Sequence, residues 1–316
     1  MANPGPVIGI IVPCYNEQEV LDQSCAKLMG LLADLRSRNI VGQGSFIAFV
    51  DDGSRDQTWK MIEMLCAHPE VRGLKLAANA GHQKALLAGL ITFLDEADAL
   101  ISIDADLQDD PQVVEPMIHK FNQGADVVYG VRRDRKGDSW FKRNTALGFY
   151  HAMRKMGVNL VHNHADFRLM GRRSLLGLSQ FNEVNLFLRG IVPSIGFVQD
   201  VVYYDRLNRE AGVSKYPLRK MISFAWNGVT SFSTLPLKFV TVTGFVIFVL
   251  CLAMSVYSLV ALFLDRTIPG WVSTVLPMYF LGGIQLLCVG ILGEYIGKIY
   301  SEVKSRPRYI IEKRID

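Results

Sequence analysis

Short apolar runs alternate with amphipathic stretches over the first 130 residues. Val7–Val12, Phe46–Val50, Gly73–Leu76, Leu100–Ile103 and Val127–Tyr129 are brief and almost wholly apolar. Between them, Glu17–Arg38, Gln57–Ala67, His82–Asp95 and Gln112–Asn122 repeat their apolar positions at helical spacing. Runs that short, bounded by polar turns, predict buried strands, and the longer stretches predict helices. Strand–helix alternation predicts an α/β domain with a parallel sheet covered on both faces. Ligands of such sheets bind beyond the carboxyl ends of the strands, so the polar residues following each run are the first candidates for chemistry.

The pattern changes toward the C-terminus. Phe239–Leu264 and Ile268–Gly293 contain no charged residue, and each exceeds the roughly 20 residues that carry a helix across a bilayer. Only Asp265, Arg266 and Thr267 separate them, which predicts a two-helix transmembrane hairpin. Lys215, Arg219, Lys220 and Lys238 precede the first span, and Lys298, Lys304, Arg306, Arg308, Lys313 and Arg314 follow the second. The excess of basic residues on these flanks predicts both termini in the cytoplasm. Pro217–Val229 mixes Arg219 and Lys220 with Met221, Ile222, Phe224 and Trp226, which suits a helix lying in the membrane interface or an ordinary surface helix. The expected organisation is a cytoplasmic catalytic domain over 1–216, an interfacial region over 217–234, two spans within 235–297 and a cytoplasmic tail over 298–316.

Composition agrees with a membrane segment. Half of the 316 residues are hydrophobic, and the mean hydropathy is +0.20. A net charge of +4 is too mild for a nucleic-acid binder with a dense basic stripe. Cys14, Cys25, Cys66, Cys251 and Cys288 form no Cys-x-x-Cys pair and predict reduced, buried thiols. The N-terminal residues lack a basic region followed by an apolar stretch, so no secretory signal is expected.

The strand-end residues carry the candidate chemistry. The first run leads into Pro13-Cys-Tyr15-Asn-Glu17, where a dinucleotide-binding fold would place Gly-x-Gly-x-x-Gly; its absence argues against an oxidoreductase. The second leads into Asp51-Asp52-Gly53-Ser54, with Asp56 and Thr58 beyond. Adjacent carboxylates repel and need partners, such as the donors of a base and ribose, whereas Ser54 or Asp56 would serve as a helix cap. The strongest signal is Asp104-Ala-Asp106-Leu-Gln108-Asp-Asp-Pro111 after the fourth run. Asp-x-Asp at a strand end places two carboxylates where they can share Mg²⁺ or Mn²⁺, which takes one or two carboxylates plus substrate phosphates. Arg132, Arg133, Arg135, Lys136, Lys142 and Arg143 are either a solvated loop or a phosphate pocket. Arg209-Glu-Ala-Gly-Val-Ser-Lys215-Tyr, just before the interfacial region, suits a lipid phosphate or a diphosphate. His162 and His164 lack a third ligand at zinc spacing, and Asp166 is the more interesting group beside them.

Together, Val-Pro-Cys-Tyr-Asn-Glu, Val-Asp-Asp-Gly-Ser-x-Asp, Asn79-Ala-Gly81-His82, Asp-Ala-Asp-Leu-Gln-Asp-x-Pro, Asp166-Phe-Arg168 and Gly-x-Ser-Lys-Tyr resemble glycosyltransferase family 2, in its polyprenyl-phosphate glycosyltransferase branch. The resemblance covers nearly the whole chain, and the segment from Gly293 to Ile310 resembles the bacterial glucosyl- and arabinosyl-transferring members. It implies a GT-A, Rossmann-like α/β fold. It also implies that Pro13, Tyr15, Glu17, Asp51 and Asp52 hold the nucleoside, and that Asp104, Asp106 and Gln108 flank a divalent cation. By the same carry-over Arg132, Arg209 and Lys215 contact phosphate, and Asp104, Asp106 and Asp166 are the catalytic candidates, Asp166 lying near the reacting sugar. The Gln-x-x-Arg-Trp motif of processive members is absent; Leu186-Phe-Leu-Arg189-Gly stands in its place, which favours single transfer over polymerisation.

The implied reaction moves one sugar, glucose from UDP-glucose above the alternatives, onto undecaprenyl phosphate at the cytoplasmic face of a bacterial membrane. Mannose, formamido-arabinose and N-acetylglucosamine are the competing sugars. A phosphate monoester is mostly dianionic near neutral pH, so the acceptor needs no strong base, and single displacement with inversion is expected. Asp166 would then orient groups or stabilise positive charge on the sugar. A non-catalytic membrane scaffold or flippase partner is the reading from another class, and intact Asp104 and Asp106 argue against it. A channel is disfavoured by spans without charge. Gly282, Gly283 and Gly290 leave room for helix packing, Tyr309-Ile-Ile has the character of a strand added to a neighbouring chain, and the resemblance implies a homo-oligomer, a tetramer.

Overall fold

A computed structural model describes residues 5–133, 164–184, 186–205, 237, 240–247, 249–250, 253 and 271–316. They fall into two compact units. The first contains β1 (Ile8–Cys14), α1 (Leu21–Ser37), β2 (Phe46–Asp51), α2 (Thr58–Leu65), β3 (Val71–Leu76), α3 (His82–Thr92), β4 (Ala99–Ser102), α4 (Val114–Asn122) and β5 (Val127–Arg132). It continues through β6 (His164–Gly171), α5 (Arg172–Ser179), α6 (Leu188–Ser194), β7 (Gln199–Tyr204) and, at the C-terminus, β8 (Ile311–Ile315). The second unit contains α7 (Trp271–Val303).

The expected strands are present, and β1 and β2 are buried along their whole length. α1 forms because Leu21, Cys25, Leu28, Leu32 and Leu35 repeat at helical spacing and are all buried, while Asp22 and Lys27 stay exposed. α3 is buried on more than one face, and close approach is what its Gly89 supplies. A β-carbon there would stand 2.5 Å from the Ile11 side chain and 2.7 Å from Val50.

The sheet departs from the parallel expectation. Its eight strands run in the order β7-β5-β6-β4-β1-β2-β3-β8. β4, β1, β2 and β3 are mutually parallel, but β6 is antiparallel to both β4 and β5, and β8 is antiparallel to β3. Apolar runs predict burial and not direction, so the mixed character could not be seen in them. The C-terminal segment expected to reach a neighbouring chain instead completes this chain's own sheet. Gly73 pairs with Ile315 and Lys75 with Lys313, and Lys75 also meets Glu312 at 2.8 Å.

β1 leads outward through β2 to β3, whereas β4 lies on its other side. The chain order therefore reverses between β1 and β4. At such a switch point the loops after the two strands diverge and open a crevice at their carboxyl ends.

In the second unit, α7 runs for 33 residues, and Phe280–Val303 within it is long and apolar enough to cross a bilayer. The helix extends beyond the end expected for the second span. Of the first span, residues 240–247 and 249–250 are helical, and the rest lies outside the described residues, as does the interfacial region over 217–234. One long apolar helix is therefore established, and the hairpin is not.

Candidate active site

The carboxyl ends of β1, β2, β3 and β4 bring four loops to one edge of the sheet. Asp52 stands just past β2, and its two carboxylate oxygens accept from the Ala80 and Gly81 amides at 2.7 and 2.9 Å. Gly81 takes φ +95°, a left-handed value that suits glycine, and turns the chain into α3 with His82 at its first position. Asp51 is fully buried and accepts from the Ser54 amide at 3.3 Å. Burial pushes both carboxyls up, and these backbone donors pull against it. Asp56 accepts from the Thr58 amide, the first of α2, at 3.0 Å, but the residue at the N-cap is Gln57, which makes no side-chain cap bond. Ser54 is used differently: its Oγ accepts from the Asn16 amide and ties the β1 and β2 loops together.

Of the residues assigned to the nucleoside, Tyr15 is 41% exposed, Glu17 has its backbone amide bonded to Thr58, Pro13 is buried in β1, and Asp51 and Asp52 form the loop floor. The structure thus gathers these residues around one set of loops, with Tyr15 presented at its surface.

After β4, Ala105 and Leu107 are buried, and this alternation leaves Asp104 and Asp106 partly exposed. The Ala105 carbonyl is fixed by Ser24 of α1, whose Oγ donates to it at 2.5 Å. Asp106 accepts from the Gln108 side chain at 2.7 Å, so the three expected cation ligands share one turn. Asp109, fully inside, is held by both the Arg132 guanidinium, at 2.9 and 3.0 Å, and the Tyr204 hydroxyl at 2.6 Å. Arg132, expected at a phosphate, is engaged in this ion pair. Arg209 and Lys215 lie outside the described residues, as do Arg135, Lys136, Lys142, Arg143 and His162.

Asp166 comes from β6. Ser102 of β4 pairs with Arg168, and continuing that antiparallel register two residues brings Asp166 level with Asp104. Between their side chains stands His82, with Nε2 at 3.5 Å from Asp104 Oδ1 and 3.7 Å from Asp166 Oδ2. Asp166 also accepts from Arg168 at 3.1 Å and from Arg189 of α6 at 3.1 and 3.3 Å. Gln83 of α3 accepts the Leu188 amide at 3.1 Å and holds α6 in place.

Opposite electrostatics separate the two carboxylates. Burial alone would raise Asp166, but the Arg189 and Arg168 guanidinium groups overcome it and hold the carboxyl well below the usual carboxylate range. Asp104 is pushed up to about 6 by burial; His82 pulls against this, while Asp166, Asp109 and Asp106 add to the rise. That uncompensated negative charge is what a divalent cation would neutralise. Among the described residues no three His, Cys, Asp or Glu side chains form a closed cage. The donor set therefore suits Mg²⁺ or Mn²⁺ held by one or two carboxylates and completed by substrate oxygens.

The roles of His82, Arg189, Arg168 and Asp109 were not assigned from the sequence. Only the neighbours each finds in the fold give them one.

A family model for glycosyl transferase family 2 matches residues 9–177, the stretch that supplies β1 to β6. The chain belongs to glycosyltransferase family 2. The enzyme is 52% identical over 99% of its length to the uncharacterized glycosyltransferase YkoT of Bacillus subtilis, of which it covers 93%. It is 38% identical to the prophage-derived bactoprenol glucosyl transferase of Shigella flexneri, over 97% of each chain. Among solved structures, mannosyl-3-phosphoglycerate synthase of Rubrobacter xylanophilus superposes with a TM-score of 0.49 at 15% identity, over 72% of this chain and 76% of that one. The described sheet and its crevice are the GT-A domain of this glycosyltransferase.

Proposed function

We propose that this glycosyltransferase moves a single sugar, glucose from UDP-glucose, onto undecaprenyl phosphate at the cytoplasmic face of the membrane, with inversion. The observation that carries the acceptor class is the extent of the likeness to the Shigella flexneri bactoprenol glucosyl transferase. It spans 97% of both chains and so includes the apolar C-terminal part, not the GT-A domain alone. An acceptor with a long isoprenoid tail stays in the bilayer, and an enzyme with its own apolar helix works where that tail is.

In the proposed reaction an acceptor phosphate oxygen forms a bond to the anomeric carbon as the bond to the UDP oxygen breaks. The UDP oxygen leaves with the electron pair. The dianionic acceptor becomes a monoanionic diester, so no proton has to be removed. Asp166, locked between two guanidinium groups, is a poor base, and this suits an acceptor that requires none. Asp104 and Asp106, with Gln108, would hold the divalent cation, which supplies charge neutralisation at the departing diphosphate. Tyr15 and the Asp51–Asp52 loop would receive the nucleoside.

Purified enzyme should convert undecaprenyl phosphate and UDP-glucose to a lipid-linked sugar. EDTA should abolish turnover, and excess Mg²⁺ or Mn²⁺ should restore it. A panel of UDP-glucose, GDP-mannose, UDP-formamido-arabinose and UDP-N-acetylglucosamine reads the sugar. No product with any donor would refute the proposal.

A further inference from the structure

The turn that carries Asp104, Asp106 and Gln108 is strained. Leu107, in its middle, takes φ +44°, a left-handed value that glycine adopts freely and a bulky side chain does not. Its amide donates to the Asp104 carbonyl at 3.1 Å and closes the turn. The reversal brings Gln108 back onto Asp106, through its amide at 3.3 Å and its side chain at 2.7 Å. Gln108 and Asp106 therefore meet because Leu107 is held in a conformation it resists. Such a residue persists only where the surrounding structure over-determines it.

Contacts on both sides of the turn do so. Ser24 of α1 fixes the Ala105 carbonyl before it, and the Leu107 side chain is itself buried in the core. After it stands Asp109, 1% exposed, on which two strands converge. Arg132 at the end of β5 and Tyr204 at the end of β7 are direct partners in the sheet register. Both turn to this one carboxylate: the Arg132 guanidinium donates to its two oxygens at 2.9 and 3.0 Å, and the Tyr204 hydroxyl donates at 2.6 Å. A charge-assisted, two-pronged pair of this kind is strong and fixes direction as well as distance. It pins the exit of the turn to two neighbouring strands of the sheet.

We infer that Asp109 is a positioning residue for the cation: anchored to β5 and β7, it keeps Leu107 left-handed and so keeps Gln108 and Asp106 together. This rests on the cation-binding role proposed above for that turn. The test titrates full-length enzyme with Mn²⁺ in the presence of UDP and reads the free ion by electron paramagnetic resonance, with UDP alone as the blank. Asp109→Asn should weaken Mn²⁺ binding about 10- to 100-fold, the range for removing the outer partner of a metal ligand. Tyr204→Phe removes one hydrogen bond and no charge. The loss it should show, about 2- to 10-fold, cannot come from a released Arg132. Two further variants isolate the strain. Leu107→Gly and Leu107→Ala lose nearly the same burial, but only glycine is relaxed at a positive φ. Combined with Asp109→Asn, Leu107→Gly should bind Mn²⁺ about 5-fold or more tighter than Leu107→Ala. Equal affinities of those two would overturn the inference. So would folded Asp109→Asn with wild-type Mn²⁺ affinity, because the ion pair would then serve the fold alone. If Asp109→Asn does not fold, Tyr204→Phe decides, and unchanged affinity there overturns the inference. Wild type that binds no Mn²⁺ would overturn the cation reading together with this one, whereas wild-type binding that Asp109→Asn leaves unmoved overturns this one alone.

Discussion

Asp166 lies on β6 with Arg168 inside the fold behind it and Arg189 reaching it from α6. Replacing it by Asn removes the charge that makes a buried Arg168 tolerable, so Asp166→Asn should lower folding stability by about 3 kcal/mol in urea unfolding. The sign with pH follows from its depressed carboxyl. Its contribution is present above the unfolded value of 3.8 and disappears as pH falls toward the lower folded value. The gap between wild type and variant should therefore close in acid. Asp104 behaves oppositely. Its folded carboxyl is raised to about 6 from 3.8, so the proton favours the fold at low pH and that stabilisation is lost as pH rises through 6. Two pKa units correspond to roughly 3 kcal/mol for a dry group. Solvent screening of a carboxylate that is 41% exposed reduces this to about 1 kcal/mol. Cation-free Asp104→Asn should thus unfold at higher urea than wild type at pH 7, with a difference that shrinks by pH 4, while losing nearly all turnover.

At the level of elements, β8 closes the β3 edge of the sheet. The Ala77 amide donates to the Ile310 carbonyl at 2.9 Å, Lys313 meets Glu63 at 2.7 Å, and Arg314 meets Glu96 at 2.6 Å. Chains ending at Tyr309 should lose about 2–4 kcal/mol, a few net backbone hydrogen bonds at ~1 kcal/mol each, and their thermal midpoint should fall measurably in a melting experiment. An unchanged midpoint would show that the edge is stable without its last strand. Much of the parallel half of the sheet was legible, because β1, β2 and β4 are almost wholly apolar, β3 alternates apolar positions with Arg72 and Lys75, and the polar exits of these strands carry the motifs. β8 was not, since Ile311-Glu-Lys-Arg-Ile315 is mostly charged and exposed along its length apart from the partly covered Ile315. The direction of β6 was equally hidden, and with it the reason that Asp166 stands level with Asp104. His82 and Arg189 were visible as parts of motifs, but their partners lie on other elements, so no spacing along the chain could assign them.

Across the whole molecule, α7 poses a question of solvent. At about 1.5 Å per residue its 33 residues extend for roughly 50 Å, more than the ~30 Å of a bilayer's hydrocarbon. Phe280, Leu286, Val289, Leu292, Ile296 and Ile299 are all exposed on it. Leaving that stripe in water forgoes about 25 cal/mol for each Å² of apolar surface that a bilayer would bury. Basic residues nearby would also attract an anionic membrane, but that attraction is screened within about 3 Å at 1 M salt. The two causes of membrane association therefore separate experimentally. The enzyme should remain in the membrane pellet after a wash at about 1 M salt, where screening is this strong, and after alkaline carbonate, and it should enter solution only with detergent. Release by salt would mean a peripheral, electrostatic attachment, and α7 would then not be what keeps the enzyme at the bilayer.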